Sequence, residues 1–245
     1  MSIDPRGPGL LCNCFIRNAF ASMLARAYDL SVVYEQHSVE LGRLGIDLYS
    51  GMQTLPGPPV PVTEAEVLLA LEGKGPCPGG GKAISLNNDF CYFQSRECTE
   101  RLRLWLHPQK ATLCTANPYA ARIDANDDIF IHIRLGDVVK HNPGIEYYRM
   151  AIKRTGRSAG YIGTDSPDHP MIAQLLAEFP QLRLFNTDPV SVIQFASTCR
   201  HVILSHGSFS AVIGMLSFSS TVYYPPYTVM WHGDMFTQPD WHLIR

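Results

Sequence analysis

The sequence predicts an α/β protein whose second half contains a parallel sheet. Between residues 128 and 224, short apolar runs of strand length alternate with segments of helical periodicity without a break. Such alternation is typical of a parallel sheet with helices on both faces. The chain has 245 residues, 46% of them hydrophobic, so it can bury a sizeable core in one large domain or in two smaller halves.

The first half is less regular than the second. Apolar residues recur at helical spacing from residue 13 to residue 28, and a short apolar run after them reads as a buried strand. Thr63 and Glu66 have the spacing of a capping box, and Pro108 favours the end of a later helix. The predicted elements are a helix at 13–28, a strand at 30–34, a helix at 63–71, a strand at 83–86 and a helix at 96–106.

The second half alternates regularly, and a polar stretch at residues 117–127 separates it from the first. We therefore predict an N-terminal domain at 1–122 and a C-terminal domain at 123–245. The predicted strands are 128–133, 159–163, 182–185, 201–204 and 221–224, and the predicted helices are 145–154, 168–178, 189–198 and 208–217.

Composition narrows the class of protein. A formal net charge of −2 argues against a general nucleic-acid binder. The apolar stretches are too short to span a bilayer, and the N-terminus lacks a signal-peptide core, which predicts a soluble chain with no membrane span. Seven scattered cysteines and the lack of an Asn-x-Ser/Thr acceptor favour a reducing, cytoplasmic setting.

One predicted strand ends in residues suited to an anion. The strand at 128–133 is followed by Arg134, Gly136 and Asp137, and chemistry in parallel α/β sheets collects where strands end. A guanidinium stays charged and offers a fork of donors, while glycine lets backbone approach closely. This pattern favours a diphosphate ligand. The alternative is a surface ion pair between Arg134 and Asp137.

Two later strands also end in small polar residues. Asp165 follows the strand at 159–163 and could accept hydrogen bonds from a ribose or a base, whereas Asp168 reads as a simple helix cap. Ser205 and Ser208 lead into an apolar helix, where hydroxyls and free backbone amides can bind phosphate oxygens. The alternative is that Ser208 is an ordinary N-cap. A glycine and Asn13 precede the first long helix, which is weak evidence by itself.

Together these segments resemble the alpha-1,2-fucosyltransferases and the wider set of fucosyltransferases of GT-B fold. The hallmark of that family is a strand ending in His-x-Arg-x-Gly-Asp, which here corresponds to His132, Arg134, Gly136 and Asp137. The family usually has a second arginine where this chain has Leu135.

Three further segments carry the resemblance in the same order along the chain. Residues 9–25 are similar to the family's N-terminal glycine-rich pattern around Asn13, although Leu10 and Cys12 replace two of its glycines. Residues 91–106 are similar to its Tyr-Phe-Gln-Ser stretch and the following helix. Residues 205–214 are similar to its serine-rich phosphate loop, with His206 in place of an asparagine.

The resemblance implies a fold, a reaction and a set of site residues. The fold would be α/β, GT-B, with two Rossmann-like domains facing across a cleft, the donor bound by the C-terminal half and the acceptor by the N-terminal half. The reaction would be inverting, metal-independent transfer of fucose from GDP-fucose to a hydroxyl of a glycan, with no cofactor besides the donor. The donor-binding residues would be His132, Arg134, Asp165, Ser205, Ser208, Phe209, Ser210 and Asn13.

Within this scheme Arg134 would stabilise the diphosphate as it leaves, Asp165 would face the nucleoside, and His132 would support the loop from beneath. The catalytic base is left open between Asp137, Glu35 and His37.

No metal site is predicted from the acidic pairs. Asp127 and Asp128 begin a strand instead of ending one, and Asp165 with Asp168 has the wrong spacing for an ion. Arg134 and helix amides can replace the ion.

The sequence is also compatible with other functions. Leu135 and the loss of a tryptophan pair in 205–214 leave room for another donor, such as GDP- or UDP-linked rhamnose, xylose or galactose. The altered glycine pattern near Asn13 leaves room for a catalytically silent nucleotide- or glycan-binding homologue. A nucleotide-sugar dehydrogenase or epimerase is disfavoured, because the first βα unit has no G-x-G-x-x-G turn.

Overall fold

The computed structural model describes residues 2–5, 10–34, 36–87, 92–227, 230 and 232–245. The chain divides into two compact units, residues 1–109 and 110–245. Each unit contains a parallel sheet, so the predicted α/β class is confirmed. The division of roles between residues 1–122 and 123–245 stays a prediction.

The N-terminal unit has a three-stranded parallel sheet in the order β1-β3-β2. Its elements are β1 (Ile3–Asp4), α1 (Leu11–Tyr28), α2 (Ser38–Arg43), β2 (Val60–Pro61), α3 (Glu64–Leu71), β3 (Ile84–Ser85) and α4 (Arg96–Leu106). The helices predicted around α1, α3 and α4 are confirmed. Helix α3 begins with the predicted capping box of Thr63 and Glu66, and Ser95 caps α4 through the Cys98 N–H.

The predicted strand at 30–34 is wrong. Asp29 adopts the left-handed conformation that ends α1. In the described part of the segment that follows, pairing is limited to two isolated parallel bridges, Leu30 with Gln53 and Val32 with Ile3. An apolar run therefore gives buried side chains here without a paired ladder, because the neighbouring segments pair for one residue at a time.

The C-terminal unit has a six-stranded parallel sheet in the order β6-β5-β4-β7-β8-β9. Its elements are α5 (Lys110–Ala116), β4 (Ile129–Ile133), α6 (Ile145–Thr155), β5 (Gly160–Thr164), α7 (Pro170–Glu178), β6 (Leu182–Leu184), α8 (Pro189–Ala196), β7 (His201–Ile203), α9 (Ser208–Leu216), β8 (Thr221–Tyr224) and β9 (His242–Leu243). The predicted alternation is confirmed, whereas α5 and β9 were not predicted. This strand order is that of a Rossmann-like doubly wound sheet. Successive strands are added on one side of β4 up to β6, and the chain then crosses to the other side of β4 to form β7.

Strand β4 lies at the centre of this sheet and is buried along its whole length. Its isoleucines, at 129, 131 and 133, pack with α6 in one core cluster. Phe130 and His132 point to the other face, where their rings meet Phe195 of α8 and Phe209 of α9. A strand covered on both faces explains the nearly continuous apolar run in the sequence.

The segment after β8 returns to the same sheet and adds β9 beside it. Trp241, just before β9, packs on α9, where a Cβ at Gly214 would lie 2.6 Å from the indole. Within the described residues, no helix has both the length and the apolar character needed to cross a membrane.

Candidate functional site

The loops after β4, β5 and β7 meet at one edge of the six-stranded sheet. Strand β4 pairs in parallel with β5 on one side and with β7 on the other, so the three carboxyl ends lie side by side. In open α/β sheets, ligands bind outside the strand ends at the point where the strand order reverses. The structure thus brings together the three C-terminal segments that the sequence singled out.

Arg134 lies at the end of β4 with two carboxylates. Its Nη2 donates to Asp137 Oδ1 at 2.6 Å and its Nη1 lies 2.9 Å from Asp165 Oδ2. The ion pair with Asp137, expected as the alternative to anion binding, is therefore present. The Asp137 side chain is 72% exposed, so this pair contributes at most about 1 kcal/mol and an incoming anion can displace it.

Asp165 organises the loop that carries Arg134. Besides the guanidinium, its carboxylate accepts from the Leu135 N–H at 2.9 Å and from the Gly136 N–H at 3.1 Å. A Cβ at Gly136 would lie 2.7 Å from Asp165 Oδ2, so the close approach requires glycine. Both carboxylate oxygens are engaged with the loop, and the predicted contact of Asp165 with a nucleoside stays a prediction.

Leu135 points away from this edge. Its side chain is 1% exposed and belongs to the core cluster below the sheet. The position that the sequence resemblance matches to a second arginine therefore faces the core in this chain. Arg134 is the cation that this strand end presents.

His132 is buried beneath the loop. Its Nδ1 lies 2.5 Å from Ser210 Oγ, and the same hydroxyl accepts from the Ser205 N–H at 3.0 Å. Burial lowers the pKa of His132 to about 4, with Arg134 lowering and Asp165 raising it. The imidazole is therefore neutral near pH 7 and links β4 to the start of α9.

Helix α9 begins at Ser208 with Gly207 in the N-cap position, at φ 96. The alternative interpretation of Ser208 as an ordinary N-cap is thus wrong, and among the described residues no side chain caps this helix. A positive φ favours glycine. The first-turn amides of Ser208, Phe209 and Ser210 lack intrahelical acceptors, which is the usual basis of anion binding at a helix N-terminus.

A pair of histidines lies beside this helix start. Their rings, those of His206 and His232, are 5.9 Å apart, and the Gly207 N–H donates to His232 Nε2 at 3.2 Å. Burial, with a smaller effect of nearby His232 and His141, lowers the pKa of His206 to about 4. Burial also lowers the pKa of His232. Sequence reasoning did not find His232, because its partner Gly207 is distant in the chain.

The start of α6 contributes residues that the motifs did not indicate. Asn142 Nδ2 donates to the Arg134 carbonyl at 2.8 Å and to the Tyr148 hydroxyl at 3.0 Å. The Tyr148 hydroxyl in turn donates to Ser205 Oγ at 3.2 Å. These two side chains connect the loop after β4 with the loop after β7.

Other predicted residues belong to the N-terminal unit or lie outside the described residues. Asn13, on α1, accepts from Gln94 Nε2 at 2.9 Å. His37 precedes α2 and lies 3.3 Å from Glu40. Glu35 lies outside the described residues, as do the first glycine of the N-terminal pattern and the cysteine at position 91.

The acidic pairs have protein partners. Asp128 pairs with Arg122 at 2.7 Å, and Asp127 pairs with Arg157. Across the described residues, no three His, Cys, Asp or Glu side chains are arranged to hold a metal ion.

No protein-family model matches the chain, and no curated protein matches it. Among solved structures it is similar to the E. coli heptosyltransferase WaaC with ADP-2-deoxy-2-fluoro heptose, at 10% sequence identity and a TM-score of 0.42. The match covers 62% of this chain and 50% of the length of that enzyme.

Proposed function

We propose that the protein is a glycosyltransferase that transfers fucose from GDP-fucose to a hydroxyl of a glycan, with inversion and without a metal ion. The observation that supports this most is the position of Arg134 at the strand switch point, after β4, which pairs with the strand that leads into the uncapped start of α9. The family resemblance of the same segments supplies the sugar and the GT-B arrangement, with the acceptor on the N-terminal unit.

In this proposal the C-terminal unit stabilises the leaving group. Arg134 and the first-turn amides of α9 interact with the diphosphate, whose negative charge grows as the glycosidic bond breaks, and such preorganised donors lower the barrier. Asp165 holds the loop through two backbone N–H groups and the guanidinium. The arginine therefore needs little reorganisation when the donor binds.

Asp137 is our candidate for the catalytic base. A diphosphate that binds Arg134 displaces the exposed Asp137 carboxylate from Nη2. The freed carboxylate can then accept the proton of the acceptor hydroxyl while the sugar passes through a cationic, oxocarbenium-like state. Donor binding is thereby coupled to the release of the base from its ion pair with Arg134.

A different donor is the second candidate, and the burial of Leu135 favours it. With Leu135 in the core, this strand end offers one arginine where the fucosyltransferases have two. Calorimetric titration with GDP, UDP and ADP tests the donor directly. Tighter binding of UDP or ADP than of GDP would exclude the fucose assignment and leave glycosyl transfer from another nucleotide sugar.

The central experiment compares Arg134→Ala with Arg157→Ala. Both arginines pair with an aspartate of the same unit, but Arg157 is paired with Asp127 before β4, at the opposite edge of the sheet. We expect Arg134→Ala to lower transfer or donor hydrolysis by about 10²- to 10³-fold, and Arg157→Ala to change it less than about twofold.

Equal turnover of wild type and Arg134→Ala would refute the proposal. GDP binding that depends on Arg134, with no turnover of any donor, would instead identify a catalytically silent nucleotide-binding homologue.

A further inference from the structure

We propose that Asn142 and Tyr148 are positioning residues, which fix the Arg134 loop relative to the phosphate-binding start of α9. This inference rests on the proposed function, because it concerns how the same site holds a diphosphate. Neither residue belongs to the sequence motifs that resemble those of the fucosyltransferases.

Asn142 holds the backbone from which the Arg134 side chain extends. Its Nδ2 donates one hydrogen bond to the Arg134 carbonyl at 2.8 Å and another to the Tyr148 hydroxyl at 3.0 Å. Its Oδ1 accepts from the Gly144 N–H at 2.9 Å, just before α6 begins. The amide is thus fixed in one orientation, because exchange of its oxygen and nitrogen would break the bonds to the Arg134 carbonyl and to the Gly144 N–H.

Tyr148 links Asn142 to the loop after β7. It is fully buried, and its hydroxyl donates to Ser205 Oγ at 3.2 Å. The Ser205 N–H then donates to Ser210 Oγ at 3.0 Å, and that hydroxyl lies 2.5 Å from His132 Nδ1. A path of hydrogen bonds, joined at Ser205 by the covalent bonds between its side chain and its N–H, therefore runs from the Arg134 carbonyl to the first turn of α9. Asn142 is half-buried on this path, and Tyr148, Ser205 and Ser210 are fully buried.

The spacing of these two loops matters for a diphosphate. The guanidinium of Arg134 and the amides of α9 follow different strands, and one ligand must contact both. Catalytic and binding groups need their geometry held within about half an ångström to be fully effective. Asn142 and Tyr148 supply that restraint without touching the ligand.

Tyr147 provides a matched control. Its hydroxyl is also buried and donates to the Leu204 carbonyl at 2.6 Å. This bond joins α6 to the residue that follows β7, and it does not lead to Arg134. Tyr147→Phe and Tyr148→Phe therefore delete the same chemical group from adjacent residues, and only Tyr148→Phe interrupts the path.

The test is calorimetric titration of GDP into the wild-type protein, Asn142→Ala, Tyr148→Phe, their double variant and Tyr147→Phe, with the melting temperature of each measured alongside. We expect Asn142→Ala and Tyr148→Phe each to weaken GDP binding about tenfold, the loss of roughly one hydrogen bond. Because both act through one path, the double variant should lose about tenfold in total. Tyr147→Phe should change the affinity less than about twofold.

Two outcomes would overturn the inference while leaving the proposed function intact. One is equal GDP affinity of wild type and Tyr148→Phe, and the other is an equal loss in Tyr147→Phe and Tyr148→Phe. If Asn142→Ala does not fold, Asn142→Asp replaces it, since the carboxylate keeps the Gly144 bond and loses the donor to Arg134. A wild-type protein that binds none of GDP, UDP and ADP would refute the proposed function itself.

Discussion

Acid should destabilise the protein well before its carboxylates are protonated. Two buried histidines, His132 and His206, are 5% and 4% exposed, and burial lowers the pKa of each to about 4. The folded chain therefore keeps both rings neutral at a pH where an unfolded chain protonates them. Acid favours whichever state binds more protons, which here is the unfolded state.

The magnitude follows from the two pKa values. A histidine in the unfolded chain titrates near 6.5, so the unfolded state binds about one more proton per buried ring between pH 6.5 and 4. For each ring, the free energy of unfolding should then fall by about 1.4 kcal/mol per pH unit. Over the whole interval from pH 6.5 to 4, each ring should therefore remove about 3 kcal/mol. The full stability is present above pH 6.5. Two rings together can remove a large share of a typical stability of about 5–15 kcal/mol.

The assay is urea denaturation followed by circular dichroism at constant ionic strength, from pH 7.5 down to 4.5. The matched variant is His206→Asn, which removes one titrating ring and introduces the residue that the fucosyltransferases have at this position. Its stability should fall less steeply with acid, by about 1.4 kcal/mol per pH unit. Identical slopes for the two proteins, or a wild-type stability that is flat between pH 6.5 and 4.5, would refute the reasoning.

Two further substitutions test the packing and the loop. Gly214→Ala would place a methyl group 2.6 Å from the Trp241 ring, so it should destabilise the fold by about 1–3 kcal/mol in thermal unfolding. The control is Gly42→Ala, in open space on α2, which should be neutral or stabilise the fold by up to about 1 kcal/mol. Equal effects of the two substitutions would contradict the packing of Trp241 on α9. Asp165→Asn should weaken GDP binding in calorimetry, because an amide cannot accept all three bonds of the Arg134 loop. Tighter binding would instead show that the negative charge of Asp165 matters more than its support of the loop.

Signals within a few residues in the sequence correctly predicted several helices and the sheet of the second half. The capping box of Thr63 and Glu66 predicted α3, and Pro108 predicted that α4 ends just before it, at Leu106. The alternation of strand and helix lengths in the second half likewise predicted a parallel doubly wound sheet. The wrong strand at 30–34 had the right apolar pattern, but pairing depends on partners elsewhere in the chain, which a local pattern does not contain.

Some residues of the candidate site could be predicted from the sequence and others could not. Arg134, Asp165 and Ser208 follow strands, so topology alone gathers them at one edge. Asn142, Tyr148 and His232 act through partners on other elements, and their neighbours in sequence do not indicate this. Leu135 is an instructive case, because the strand's alternation of isoleucines continues to it and predicts a core-facing side chain. The family motif alone suggested a position facing the ligand.

The return of the chain to β9 has a consequence for synthesis on the ribosome. A growing chain that has reached residue 224 has completed β4, β5, β7 and β8, but it lacks His232, which accepts from Gly207, and Trp241, which packs on α9. Strand β8 then has an unpaired edge, which is a template for association with other chains. The nascent protein therefore passes through an interval in which the start of α9 lacks its contact with His232 and one edge of the sheet is unpaired, until residues 242 and 243 emerge and pair with β8.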